Sequence, residues 1–328
     1  SSETSFSSGE GPLNLDALRS LVERFKGGRH SHLARRVGRE GYEALTREIL
    51  QQTAKSAGGK SIWAWRDGQP IGLAVARPAT WDSARLGVKC MHLEIAMQSG
   101  DETAYKSARG LIDATVQACC GSADHLSLRI GGEQTAILHA LEDSGFNVMD
   151  SLLTFTANAP FQQPSPGAST VRKFRPSDLD HVKKLAGSSF VIDRWHSDHR
   201  IPRGVADDVY SAWAEESCRD VGNRETFVVE HAGEVAGFMS VRLDEDAYAI
   251  LGLRVGIVEL TATSTQARGA GIGSSLMNAS LLWFKEHGMD VAQVGTQASN
   301  TTACRVYERA GYRIAESSYA MTRWLDHG

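Results

Sequence analysis

The feature that most constrains this chain is a long internal repetition. Residues 13–158 and 169–328 run through the same order of patterns: helical periodicity, a hairpin, a long strand, a helix, a strand, a short helix and a final strand. In the first half Leu15, Leu18, Leu21, Val22 and Phe25, then Tyr42, Leu45 and Ile49, recur at three- and four-residue spacing. Strand-like runs at 62–65 and 71–76 flank the turn signal Asp67-Gly68. In the second half, runs at 226–230 and 235–243 flank Ala232-Gly233, with strands expected at 248–253 and 255–263 and helices at 269–286 and 301–309. Both short helices end in glycine followed by an aromatic residue, Gly145-Phe146 and Gly311-Tyr312. A period of roughly 165 residues exceeds any solenoid repeat and fits a duplicated α/β domain.

Between the halves, residues 159–168 carry three of the eight prolines with Gly, Ser and Gln, and read as a linker. Residues 1–12, rich in Ser, Gly and Glu, read as a disordered tail. With 41% hydrophobic residues the 328-residue chain has ample material for two cores. Its 35 basic and 39 acidic residues include no Lys/Arg run, which argues against a nucleic-acid partner. No apolar stretch approaches the ~18 residues that would span a bilayer, so no membrane role is expected. Five cysteines without a C-x-x-C pair read as free, buried thiols rather than disulfides or a zinc site, and point to a reducing cytoplasm. No metal is expected.

The segment that carries chemistry lies late in the chain. A β-run ending at Leu260, Thr261, Ala262 and Thr263 feeds a loop, Arg268-Gly269-Ala270-Gly271-Ile272-Gly273-Ser274, and an amphipathic helix follows at once. Glycines there let successive N–H groups turn inward at a helix N-terminus, the geometry that holds a pyrophosphate. Arg268 adds a fixed charge for the same anion. A nucleotide-triphosphate loop is excluded because no Lys precedes Ser274, and the glycine spacing misses the dinucleotide fingerprint. A Gly-rich turn without a ligand is the bland alternative. A second segment places Asn300 after a strand and before a helix, where it could cap that helix. Tyr307, two turns on, shares its face, and core packing is the alternative role for that ring.

Together the two segments resemble the Gcn5-related N-acetyltransferase (GNAT) superfamily, whose signature Gln/Arg-x-x-Gly-x-Gly/Ala is matched by Arg268–Gly273. The resemblance covers residues 170–324. It implies two units, each a mixed, mostly antiparallel twisted sheet flanked by helices, with the second catalytic and the first a degenerate copy. It implies acetyl-CoA as co-substrate: the pyrophosphate on Arg268, Gly269, Ala270, Gly271, Ile272, Gly273 and Ser274, the pantetheine along Leu260–Thr263, and Asn300 touching the cofactor. Tyr307 would protonate the departing thiolate, a step suited to a neutral phenol of ordinary pKa about 10. A backbone N–H near Ala262 would hold the oxyanion. The first half lacks the glycine motif at 98–102 and has no counterpart of Tyr307, so no CoA site is expected in it.

On the acceptor side the motifs around Trp81, 190–202, Tyr210–Trp213 and 295–301 resemble GNAT enzymes that acetylate dTDP-linked amino sugars. This implies a small-molecule amine acceptor, a nucleotide-linked amino sugar. The polar loop offers Arg194 and Arg200 for its phosphates and His196 or His199 as base. A loop of mixed charge that is merely solvated is the alternative. Glu259, in the strand beside the expected cofactor slot, is a second base candidate, and surface pairing is its alternative. Trp81 and Trp213 are candidates for stacking on the base or sugar, against core packing. Rival functions are acetylation of another amine (aminoglycoside, polyamine or protein N-terminus) and non-catalytic CoA sensing. The chain is compatible with a homodimer.

Overall fold

The computed structural model describes residues 3–25, 30–98, 103–162, 169–219, 222–267 and 269–325. In chain order the first half forms β1 (Ser5–Gly9), α1 (Leu15–Val22), α2 (Ala34–Lys55), β2 (Lys60–Arg66), β3 (Gln69–Pro78), α3 (Thr80–Leu86), β4 (Cys90–Met97), α4 (Ala104–Cys119), β5 (His125–Gly131), α5 (Thr135–Asp143) and β6 (Asn147–Asn158). The second half forms β7 (Val171–Lys173), α6 (Leu179–Ser189), α7 (Arg203–Ser217), β8 (Arg224–His231), β9 (Glu234–Leu243), α8 (Glu245–Leu251), β10 (Val255–Thr263), α9 (Ile272–Glu286), β11 (Val291–Gln297), α10 (Thr301–Arg309) and β12 (Arg313–Trp324).

Two compact units result, residues 1–151 with 317–328, and residues 152–316. The division falls inside β6 and β12, not at 159–168, because the halves exchange their closing strands. β12 pairs with β5 from Ser318 to Trp324, and β6 pairs with β11 from Leu152 to Asn158. Of the linker segment, 163–168 lie outside the described residues. The first unit orders its strands β1-β2-β3-β4-β5-β12, the second β6-β11-β10-β9-β8-β7. Within each unit the described pairings are antiparallel except one, β4 with β5 and β10 with β11.

Two expectations are corrected. Residues 5–9 are not a disordered tail: they form β1, paired from Ser5↔Trp65 to Gly9↔Ser61. Trp65 Nε1–H donates to Ser7 Oγ at 2.9 Å, and the Phe6 ring lies against Gly110 of α4, where a Cβ would stand 2.4 Å from it. An edge strand recruits backbone groups, so its side chains need no alternating pattern. Residues 248–253 are not a strand, since α8 covers 245–251. Asp244 caps α8 by accepting from Ala247 N–H, two acids occupy its first turn, and Gly252 ends it in the left-handed conformation. Helix α3 occupies the same place between β3 and β4, so the duplication extends to an element the sequence pattern leaves unassigned.

In the second unit α9 packs on one face of the sheet, joining Phe155, Met239, Val241, Val258, Val294, Leu276, Met277, Phe284, Tyr307 and Tyr312 in one core. Helices α6 and α7 pair with each other and α6 lies on β9 and β10.

Candidate active site

Strands β10 and β11 run parallel from Val255↔Val291 to Val258↔Val294, and their pairing stops there although both strands continue. Beyond that point Leu260, Thr261, Ala262 and Thr263 pair only with β9, through Ser240, Met239, Phe238 and Gly237. β11 meanwhile stays paired with β6 through Gln297. The sheet therefore splays, and one backbone edge of β10 has no strand partner over four residues. Such an edge is a template for an extended amide-bearing ligand.

The splay begins at a bulge. Register between β10 and β9 shifts between Val258 and Leu260, leaving Glu259 as the extra residue. Arg224 Nη2 donates to Glu259 Oε1 at 3.3 Å and stands at the same distance from Oε2, while Oε1 lies 3.7 Å from Arg242 Nε, with the carboxylate side chain 13% exposed. Oε2 is buried without a hydrogen-bond partner. Arg224 is itself fixed by donating to Glu216 O of α7 at 2.8 Å.

The same strand leads into the glycine loop. Gly269 and Gly271 adopt φ of +84° and +72°, values an L side chain resists, and Gly271 is the N-cap of α9. Unlike α1, α8 and α10, which are capped by Asn14, Asp244 and Asn300, α9 has no side-chain cap. A Cβ on Gly269 or Gly273 would meet nothing within 4 Å, so the helix start is open, with its first-turn N–H groups directed outward. Ile272 is buried, and a Cβ on Gly237 of β9 would come within 2.5 Å of it, so this close approach fixes α9 against β9, the strand paired with the splayed edge of β10. Ser169 Oγ donates to Ala270 O at 3.1 Å and braces the loop. Ser274 is exposed at the same helix start. Arg268 lies outside the described residues.

Tyr307 stands at the height of the splay. Phe155 is the β6 partner of Val294, the last β11 residue paired with β10, and the Tyr307 ring meets Phe155 edge-on at 5.5 Å. Tyr307 is 4% exposed and burial holds its phenol well above the usual tyrosine range, so it is neutral at physiological pH. Asn300 accepts from Ala303 N–H at 3.2 Å, the helix-capping role. Cys304, one turn before Tyr307, is half-buried, and burial raises its thiol also.

The polar loop 190–202 links α6 to α7. His196 has both ring nitrogens engaged, Nδ1 with Asp193 Oδ2 at 2.5 Å and Nε2 with Asp207 Oδ1 at 2.9 Å, which corrects its reading as a base: neither nitrogen is open to an amine. The two acids of the loop are turned inward, Asp193 at 1% and Asp198 at 2% exposure. His199, Arg200 and Arg203 are exposed and Arg194 lies over the Trp195 ring at 4.1 Å. Equal charge in sequence thus becomes a cationic exterior. Trp213 joins an aromatic group with Tyr210 and Trp195, at 5.9 and 6.4 Å, while Phe190 stacks on Tyr210 at 3.9 Å. Trp81 belongs to α3 of the first unit and carries Arg85 over its ring at 5.1 Å. Sequence reasoning missed Arg224, Arg242 and Asp207, whose partners are 35, 17 and 11 positions away and leave no local pattern.

The first unit repeats the splay without the rest. β4 and β5 pair in parallel only from Cys90↔His125 to His92↔Ser127, yet β3 and β4 stay in unbroken register from Gly72 to Pro78. No bulge interrupts that register. Residues 99–102, where a phosphate loop would stand, lie outside the described residues. Among the described residues no three His, Cys, Asp or Glu side chains are grouped to hold a metal, and no helix is long and apolar enough to cross a membrane.

Residues 191–312 match the Acetyltransferase (GNAT) family. The chain is 24% identical over 254 residues to dTDP-fucosamine acetyltransferase of Escherichia coli O6:H1, covering 76% of this chain and 98% of that protein. It is 26% identical over 196 residues to mycothiol acetyltransferase of Propionibacterium freudenreichii subsp. shermanii, covering 56% and 58% of the two chains. In fold it is similar to a tandem GNAT protein from the clavulanic acid biosynthesis pathway, with a TM-score of 0.53 at 12% identity over 99% of this chain and 100% of the other.

Proposed function

We propose, from a second unit that is a GNAT N-acetyltransferase domain, that the chain moves the acetyl group of acetyl-CoA onto the amine of a nucleotide-linked amino sugar. The observation that carries this reading is one strand with three features in sequence. β10 bulges at Glu259, parts from β11 after Val258, and ends in an uncapped glycine helix start, with the Tyr307 ring level with the parting. A pantetheine chain fits the unpaired edge Leu260–Thr263, and the diphosphate fits the α9 start from Gly269 to Ser274, with Arg268 as its counter-charge. The acetyl group then lies near the bulge.

The amine attacks the acetyl carbon, the C–S bond breaks, and the thiolate takes the proton of the Tyr307 hydroxyl. An N–H of the splayed edge near Ala262 stabilises the oxyanion. The amine proton passes to the Glu259 carboxylate, or to water. Asn300 contributes by setting the start of α10 and hence the Tyr307 position.

The acceptor class rests on the 190–202 lid. With Asp193 and Asp198 turned inward, its outer face offers Arg194, His199 and Arg200, and this suits an acceptor bearing a diphosphate. Trp213 lies in the aromatic group beneath it. Similarity to dTDP-fucosamine acetyltransferase over 98% of that protein agrees. The similarity to mycothiol acetyltransferase favours a second reading, an acceptor amine without a diphosphate.

A thermal-shift screen of acetyl-CoA with dTDP- and UDP-amino sugars tests the choice. Stabilisation by a sugar nucleotide, with thiol release on mixing, is the expected result. Turnover only with amines lacking a diphosphate refutes the acceptor class, and acetyl-CoA binding without turnover on any amine refutes the enzyme mechanism.

A further inference from the structure

The buried imidazole in the lid is bonded at both of its nitrogens. A neutral imidazole carries one N–H, whereas an ionised carboxylate only accepts. Both nitrogens of His196 face carboxylate oxygens, Asp193 at 2.5 Å and Asp207 at 2.9 Å. The ring therefore bridges the two carboxylates through both of its nitrogens. Asp193 is prepared for it: 1% exposed, it also accepts the N–H groups of Trp195 and His196 at 2.9 and 3.2 Å. Asp207 stands on α7, outside the loop, with 38% of its side chain exposed.

The imidazole also lies parallel to the Tyr210 ring of α7 at 5.8 Å. Other charged groups of the loop and of helices α6 and α7 have partners of their own, while His199, Arg203 and Asp208 flank the clasp in the chain. Arg194 covers Trp195, Asp198 accepts from Arg200 N–H, and Lys183 of α6 pairs with Glu215 of α7 at 2.6 Å.

We infer that Asp207 and His196 are positioning residues: the His196 ring held between Asp193 and Asp207 clasps the 190–202 lid to α7 and so holds its acceptor-binding face in place. The inference rests on the acceptor-lid reading above.

Hydrogen exchange of the full chain reads the clasp without any acceptor. Protection of amides in 190–202 is expected to fall about two- to fivefold in Asp207→Asn, the upper range of a partly exposed pair. Asp207→Glu is expected to restore it. His196→Gln provides a second variant that keeps the ring site polar and uncharged. Unchanged protection in Asp207→Asn and His196→Gln overturns the clasp. With dTDP-fucosamine as acceptor, Asp207→Asn should raise the acceptor KM by a similar factor, with kcat and the acetyl-CoA KM within about twofold. Weakened protection with an unaltered acceptor KM overturns the lid reading and the positioning role, a failure distinct from that of the clasp.

Discussion

Gly273→Asp separates the proposed diphosphate grip from a glycine turn that serves only the fold, because the two properties it changes move in opposite directions. Gly273 is the second residue of α9, a Cβ there meets nothing within 4 Å, and the helix has no side-chain cap. An acid in the first turn of an uncapped helix gains about 0.3–1 kcal/mol from the helix dipole, whereas Asp, a weak helix former, adds little over glycine in propensity. The free protein should therefore gain about 0.5 kcal/mol, a rise of roughly 1–2 °C in Tm for a unit of this size. The same carboxylate occupies the place assigned to a diphosphate. Two unit charges about 4 Å apart at an effective dielectric of 20 repel by about 4 kcal/mol, and solvent screening at an open site reduces this to about 2 kcal/mol. Affinity for CoA should fall about thirtyfold or more, and the loss should shrink for pantetheine, which lacks the diphosphate. Differential scanning calorimetry and calorimetric titration on one preparation measure both. A variant that binds CoA as tightly as the parent, whatever its Tm, refutes the assignment of the anion to α9.

Tyr307→Phe keeps the ring against Phe155 and removes only the proposed acid. Single-turnover acetyl transfer should slow by about 10²-fold or more with the Kd of acetyl-CoA unchanged, and a rate within threefold of the parent removes Tyr307 from the mechanism. Glu259→Gln should lower the amine-dependent rate by a similar factor in steady-state assays, whereas near-parental turnover would assign the carboxylate to holding Arg224 and Arg242. Burial raises the phenols of both Tyr307 and Tyr312. Above pH about 10 the unfolded chain ionises them while the folded chain keeps them neutral, so stability should fall by up to about 2.7 kcal/mol per pH unit, half of it absent in Tyr307→Phe. Denaturant melts between pH 9 and 11 measure that slope, and parallel slopes for the two proteins would contradict it.

Elements whose signal is local were legible in the sequence. Asp67-Gly68 and Ala232-Gly233 both close hairpins, with left-handed φ at all four positions, and the helix at 301–309 has its expected bounds. Elements stabilised by their surroundings were not. β1 offers one apolar side chain and exists because β2 has an open edge to pair with. α8 was hidden by the apolar residues Tyr248, Ile250 and Leu251, although Asp244, Glu245, Asp246 and Gly252 supply start and stop signals that outweigh a strand pattern. Two of the five cysteines, Cys90 and Cys119, are buried, while Cys120 is exposed, a distinction that spacing does not encode.

The candidate site divides along the same line. Glycines at 269, 271 and 273 announce a helix start that a diphosphate could fill, and they do so in any context. The bulge at Glu259 is a relation between β10 and β9, and the splay is a relation among β10, β11 and β6, so neither is written in β10 alone. The first unit makes the point by contrast. It has the same order of elements and its own parting of β4 from β5, but β3 and β4 run in unbroken register where β9 and β10 slip. Without the slip there is no extra residue, and Glu94 takes an ordinary strand position with His92 Nε2 at 3.5 Å. If the bulge is what presents Glu259 to an amine and turns a backbone N–H toward an acetyl oxygen, a one-residue change of register is enough to divide a catalytic copy from a structural one. Deleting Glu259 would then abolish transfer and leave the second-unit fold intact. Calorimetry and single-turnover kinetics on that deletion read the two halves of the claim separately, and retained transfer would contradict it.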